Sequence, residues 1–243
     1  MVKSPRLNTS SITYPDSDGQ PMADNTLQFS WIVVIKENLE LQFAEVADVF
    51  IAGDLLWYPV QGNPKLRQAP DAMVVFGRPK GYRGSYKQWD ENNIAPQVVF
   101  EILSPGNRFT QMLNKFKFYE HYGVEEYYLY DPYKNDLQGW LRSQEQAELE
   151  SQAELESIES LQGWISPRLQ IKFELTEENL VIFRPDGEKF HSFVELGQLK
   201  AQALEEKEQA LQEKEQALKE LEQEKQRVKA LEALLKEKGI NFD

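Results

Sequence analysis

The stretch APQVVFEILSPGN, residues 95–107, decides how the chain reads. Val98, Val99, Phe100, Ile102 and Leu103 form the apolar run of a buried strand. Glu101 interrupts it. A carboxylate inside such a strand is paired, binds a metal, or takes up a proton, because a lone buried charge loses its hydration without replacement.

The segments on either side set Glu101 in an α/β pattern. Downstream, SPGNRFTQMLNKFKFYEHYGV (104–124) reads as a helix capped by Ser104 or Asn107 and ended by Gly123. Phe109, Met112, Leu113, Phe116 and Tyr119 form its expected buried stripe at helical spacing. EEYYLYDPYKND (125–136) and LQGWLR (137–142) read as two strands meeting at a Pro-Asp turn cluster. Upstream, APDAMVVFG (69–77) is a strand begun after Pro70, and DVFIAGDLLWY (48–58) is another. Residues 27–44 read as a helix, or as a strand followed by a helix. The glutamate-rich QEQAELESQAELESIES (144–160) repeats AELES and reads as a solvated insertion. Short strands and turns resume over 161–190, with Pro185-Asp186-Gly187 as a turn.

The chain has 243 residues, 41% hydrophobic and 12% aromatic, which is room for one sizeable domain and an appendage. With no cysteine, disulfides, thiolate catalysis and Cys-ligated zinc are excluded. Two histidines, His121 and His191, do not make a multi-His metal site. Any metal needs oxygen ligands, which suits Mg²⁺ or Mn²⁺. No run approaches a membrane span, and the polar lead-in over 1–24 has no secretory apolar core, so the cytoplasm is the default compartment. That lead-in reads as partly disordered.

The net charge of −13 argues against a generic nucleic-acid binder. Its distribution argues otherwise. Residues 65–117 carry nine Lys or Arg and four acids, a net of +5, and two of the acids are Asp71 and Glu101. The loop RPKGYRGSYKQWDENN (78–93) offers Arg78, Lys80, Arg83 and Lys87 for phosphates. Tyr82, Tyr86 and Trp89 are available for stacking on bases. An ordinary surface loop explains the same residues equally well. GRPKGYRG within this region does not match a phosphate-binding P-loop.

From about residue 196 the composition shifts to a heptad pattern. Leu204, Leu211 and Leu218 form one column, while Lys207, Lys214 and Leu221 occupy the second. Residues 196–243 read as a long helix, equally a coiled-coil stalk for a homodimer or higher oligomer and a solvated single helix with Glu–Lys pairs.

Asp71, Glu101 and Lys115 stand out together. Taken alone, Asp71 is an ordinary strand-start residue and Lys115 an ordinary snorkelling lysine. Lys115 lies three residues after Met112 and four before Tyr119, at the margin of the face that packs on the sheet. If the strands of Asp71 and Glu101 are neighbours, two carboxylates and an ammonium converge. Two close carboxylates repel unless a cation sits between them. A divalent metal with a lysine beside it suits phosphodiester hydrolysis, and Arg108 and Lys117 would join the basic loop in holding backbone phosphates.

PD at 70–71, VVFEILSP at 98–105 and KFKFYEHYGVEEYYLYDP at 115–132 resemble the Uma-two family, described as putative restriction endonucleases of the PD-(D/E)xK superfamily. The resemblance covers about residues 25–195. It implies a restriction-endonuclease-like α/β core with a central mixed sheet flanked by helices. It also implies DNA as substrate, and Mg²⁺ or Mn²⁺ held by Asp71 and Glu101. The superfamily's usual lysine would stand at Leu103; in this family it has moved to the following helix, matching Lys115. The family's acid four residues before that lysine is Gln111 here. An early-helix acid of the wider superfamily would be Glu37, Glu40 or Glu45. Two other classes remain open: a nuclease-fold scaffold working through its heptad helix, and a metal-independent two-carboxylate hydrolase such as a glycosidase. The basic 65–117 region counts against the latter.

Overall fold

The apolar run around Glu101 is a strand covered on both faces, which is why it does not alternate with polar residues. In the computed structural model, which describes residues 12–17, 19, 22–143 and 154–238, the elements run as follows. They are α1 (Thr26–Gln42), β1 (Val49–Ala52), β2 (Trp57–Tyr58), β3 (Ala72–Phe76), β4 (Tyr86–Lys87), β5 (Val98–Ile102), α2 (Phe109–His121), β6 (Glu126–Asp131), β7 (Asp136–Arg142), β8 (Leu155–Ser157), β9 (Lys172–Leu175), β10 (Leu180–Phe183) and α3 (Phe193–Glu237). The chain divides into two units, residues 1–192 and 193–243.

The first unit is built on a mixed six-stranded sheet in the order β1-β3-β5-β6-β7-β8. Its one parallel pair is β5 with β6, and the others are antiparallel. A parallel neighbour needs a crossover, and α2 supplies it. One face of the sheet packs Val98, Phe100 and Ile102 against Ile32, Ile35 and Leu39 of α1 and against the β9–β10 hairpin. The other face packs Met73, Val75, Val99 and Tyr127 against Phe118 and Tyr119 of α2 and against Trp57.

Residues 27–44 resolve as one helix. Asn25 caps it by accepting hydrogen bonds from the amides of Leu27 and Gln28 at 3.1 and 3.0 Å. Helix α2 departs from its reading. Residues 104–107 form a turn in which Asn107 Oδ1 accepts from the Ser104 amide at 2.6 Å, and the helix begins only at Phe109. Of the five stripe residues Tyr119 alone is fully buried, with its neighbour Phe118 beside it. Phe109 is 81% exposed and Leu113 39%. Gly123, at φ +91°, ends the helix as expected.

One other expectation needs correction. Leu155–Ser157, inside the presumed solvated insertion, is a strand paired with β7, its Leu155 buried. Residues 144–153 of that insertion, including the first AELES copy, lie outside the described residues. In the polar lead-in, Tyr14 and Pro15 are docked: the Gly62 amide donates to the Tyr14 hydroxyl at 2.5 Å and Tyr58 donates to the Pro15 carbonyl at 2.6 Å. The Tyr14 ring packs on Tyr58 and Trp89. Residues 1–11 lie outside the described residues.

In the second unit α3 runs 45 residues with none buried. Leu204, Leu211 and Leu218 are each more than half exposed, and Gln202–Glu206 and Gln216–Glu220 bond along the helix at i,i+4 spacing. Among the described residues no helix is long and apolar enough to cross a membrane.

Candidate functional site

The register of β3 on β5 pairs Ala72 with Phe100 and Met73 with Val99, so one step back brings Asp71 beside Glu101. Side chains alternate along a strand, and both carboxylates therefore face α2. Lys115 stands on α2 above them. Its Nζ donates to Glu101 Oε2 at 2.7 Å, with the Glu101 side chain 2% exposed and that of Lys115 15%. The Tyr119 hydroxyl donates to Glu101 Oε1 at 2.5 Å. The amide of Ile102 donates to Asp71 Oδ2 at 2.7 Å. The three residues expected from the sequence thus meet on one sheet face.

The electrostatic strain of the site falls on Asp71. Its pKa is pushed up to about 8, first by burial and then by the charge of Glu101, against the pull of Lys115 and the Ile102 amide. Burial alone would lower the Lys115 pKa, but Glu101 and Asp71 outweigh it and hold the ammonium above the ordinary lysine value. Burial, then Glu101, pushes the Tyr119 phenol well above its usual range, so Tyr119 acts as a donor.

These residues fit a small divalent cation. Mg²⁺ takes one or two carboxylates and completes its octahedron with waters and phosphate oxygens. A cation would relieve the repulsion that drives Asp71 upward. Among the described residues no group of three or more His, Cys, Asp or Glu is placed to hold a metal.

Three features of the site escaped sequence reasoning. Tyr119 reads as one more aromatic of a helix stripe, and only its hydroxyl distinguishes it. Gln28, buried in α1, donates through its amide to the Ile102 carbonyl at 2.9 Å and accepts from the Asp24 amide at 2.8 Å. None of the acids considered in α1 takes that place. Glu37 pairs with Lys36, Glu40 pairs with Lys80, and Glu45 is exposed. Asp54 follows β1 with φ +47°, its amide donating to the Pro70 carbonyl at 3.0 Å. Its charge reaches both Asp71 and Lys115. A non-glycine residue held in this region stores backbone strain of the kind that gathers at functional sites. The signal in the sequence is Gly53-Asp54 directly after a strand.

The basic loop is largely committed to itself. Arg78 Nε and Arg83 Nε bond the two oxygens of Glu91 at 2.7 and 2.6 Å, and Arg83 lies 3.9 Å from the centre of the Phe50 ring. Burial pushes against Glu91 ionising, yet the two guanidiniums hold its pKa below the usual value. Lys80 pairs with Glu40 at 3.3 Å. As phosphate contacts, Arg78, Lys80 and Arg83 are therefore already spoken for, while Arg108, just before α2, and Lys117, on it, are exposed. Lys87 lies 5.7 Å from the Tyr14 ring. Of the three loop aromatics only Tyr82 is open, at 95% exposure; Tyr86 is buried and Trp89 packs on Tyr14. Gln111 is exposed. His121 is exposed at the end of α2, and His191 is half-buried, clipped through its backbone to Asn38.

Glu91→Ala is expected to lower unfolding free energy by about 1.5–3 kcal/mol, because two partly buried guanidiniums lose their acceptor. Urea melts measure this, and a loss under about 0.5 kcal/mol would mark the cluster as an ordinary surface pair.

The chain is similar to a crystal structure described as a putative nuclease of the DUF820 family from Anabaena variabilis. The identity is 14% and the TM-score 0.42, over 59% of this chain and 72% of that one. No curated protein matches the chain. The profile of the Uma2 family, described as "Putative restriction endonuclease", matches residues 27–172, which include β1 to β8 and every member of the Asp71–Glu101–Lys115 cluster. The chain belongs to the Uma2 family.

Proposed function

We propose that the protein is a metal-dependent endonuclease that hydrolyses DNA phosphodiester bonds, with Asp71, Glu101 and Lys115 as its catalytic residues. The observation that carries this reading is Glu101. It is buried in the middle of a strand and held by Lys115 and Tyr119, beside an Asp71 displaced to a pKa of about 8.

Asp71 and Glu101 would hold Mg²⁺ or Mn²⁺, which when bound supplies Lewis-acid neutralisation of phosphate charge and a more acidic water. The Ile102 amide fixes the orientation of Asp71, and Tyr119 fixes that of Glu101. Lys115 brings a positive charge to the position where charge develops on the phosphate, in a dry site where it counts for more than in water. Arg108 and Lys117 are the exposed cations best placed to hold flanking phosphates. Such an enzyme would work in the cytoplasm.

Incubation of supercoiled plasmid with the purified chain in Mn²⁺, Mg²⁺ or EDTA tests the reading. Nicking in either metal and none in EDTA is expected. Equal nicking in EDTA would remove the metal, and with it this mechanism.

The exposed leucine column of α3 favours a second element of the reading, self-association through that helix. Deleting residues 193–243 is expected to lower the assembly to a monomer in light scattering. An unchanged subunit number would sink the stalk. If the stalk forms and no plasmid is cut under any condition, the protein is better read as a nuclease-fold scaffold.

A further inference from the structure

Next to Glu101, on the same face of the sheet, α2 and the ends of β5, β6 and β7 enclose an open cleft of about 570 Å³. That is the size of a small-ligand site. Leu129, which pairs directly with Glu101 across β5 and β6, forms part of its floor. The walls are flat and apolar. Trp140 stacks on Tyr127 at 5.1 Å, and Phe116 meets Trp140 edge-on at 5.4 Å. Phe109 stands at the mouth, 81% exposed, in a helix position whose periodicity belongs to a core. The lining also includes the polar groups of Lys134 and Gln138.

A second observation points to an occupant. Tyr127 lines the cleft, is 1% exposed, and has a buried hydroxyl with no hydrogen-bond partner among the described residues. Such a group is costly unless something arrives to satisfy it.

We propose that this cleft seats an unstacked nucleobase of the substrate strand, adjoining the cut. The proposal rests on the nuclease reading above and adds to it how the strand is gripped. A base is flat and apolar on its faces and polar at its edge, and the cleft matches it with aromatic walls, an amide and a cation. A nucleotide whose phosphate lies at Asp71 and Glu101 has its base within reach of the cleft, because the two share neighbouring positions on adjacent strands about 4.8 Å apart. Arg108, at the start of the helix that walls the cleft, and Lys117, on it, are exposed and suit the phosphates on either side. A folded protein partner fits less well, since it calls for about 800 Å² of surface on each side rather than one concave slot.

The test measures binding alone. A fluorescein-labelled single-stranded DNA, and the same strand made entirely of abasic sites, are titrated with the full chain at low salt, in Ca²⁺ and again in EDTA, and followed by anisotropy. The intact strand is expected to bind about 5- to 100-fold more tightly, the range of base–aromatic stacking. Phe109→Ala should reduce that ratio to below about two and leave abasic binding unchanged. Tyr82→Ala, on the basic loop, should preserve the ratio. Both side chains are too exposed for their loss to unfold the chain. Equal binding of the two strands, or an equal loss for both in Phe109→Ala, overturns the base seat and leaves the nuclease reading standing. A ratio that vanishes with Tyr82→Ala and survives Phe109→Ala overturns it in favour of the loop. No binding of either strand in either condition, together with uncut plasmid, removes both readings.

Discussion

Glu101→Gln is expected to reduce metal-dependent plasmid nicking by about 10³-fold and to destabilise the fold by about 3–5 kcal/mol. The two effects have separate causes. On the nuclease reading the carboxylate would be lost as a cation ligand, which would stop the chemistry. The Lys115 ammonium is left in a largely buried position without its partner, which weakens the fold. A glutamine still accepts from Tyr119, so the helix keeps that contact. The double substitution Glu101→Gln/Lys115→Met should therefore regain most of the stability and none of the cleavage. Replacing both members of a buried ion pair by uncharged groups of similar volume is close to neutral, whereas removing one is not. Urea melts and nicking assays on the two variants measure the separation. If the single variant is as stable as wild type, the ion pair is solvated and the site is not the dry one described above. The Lys115 pKa is raised, so its contribution is fully present below the ordinary lysine range and fades only as pH rises above it.

Asp71→Asn carries the second large effect, and its sign depends on pH. The folded-state pKa of about 8 lies above the ordinary 3.8. A raised group stabilises fully below its unfolded value, and that contribution is lost as pH climbs through the folded value. Metal-free wild type should therefore lose stability between about pH 4 and pH 8. The asparagine, which still accepts from the Ile102 amide, should not. Asp71→Asn is then more stable than wild type at pH 8 without metal, on the order of 3 kcal/mol, with the gap closing toward pH 4. Addition of Mn²⁺ should reverse the order, because only wild type gains from binding a cation that displaces the Asp71 proton. Thermal melts at pH 4, 6 and 8, with Mn²⁺ and with EDTA, show both halves. A wild-type stability that does not fall over this range in EDTA would mean that Asp71 is not held against its charge.

Asp71, Glu101 and Lys115 were legible because each breaks a local pattern. A carboxylate follows Pro70 at a strand start, another interrupts an apolar strand, and a lysine stands at the edge of an apolar helix face. The strands follow from short apolar runs and the helix between them from a period of 3.6 residues. The fate of the basic loop was not legible. Nothing local tells whether Arg78 and Arg83 face phosphates or close on Glu91, since that depends on how the chain turns through Gln88–Asp90 to set the acid beside them. Tyr119 was placed correctly in the core, but the job of its hydroxyl depends on which strand lies beneath it. The exposure of Phe109 and Leu113 is hidden for a related reason: helical spacing shows where a buried stripe would lie, not whether every turn of the helix meets the sheet.

By itself, then, the sequence determined the strand and helix periods, the buried carboxylate and the heptad tail, because those depend on neighbours within a few residues. The tertiary structure alone decided that Asp71 lies beside Glu101, that Tyr119 and Gln28 brace that strand, and that Glu91 neutralises two arginines. Each of these contacts joins residues 8 to 74 positions apart, and only the pairing of β3 with β5 and the crossover through α2 bring the site together.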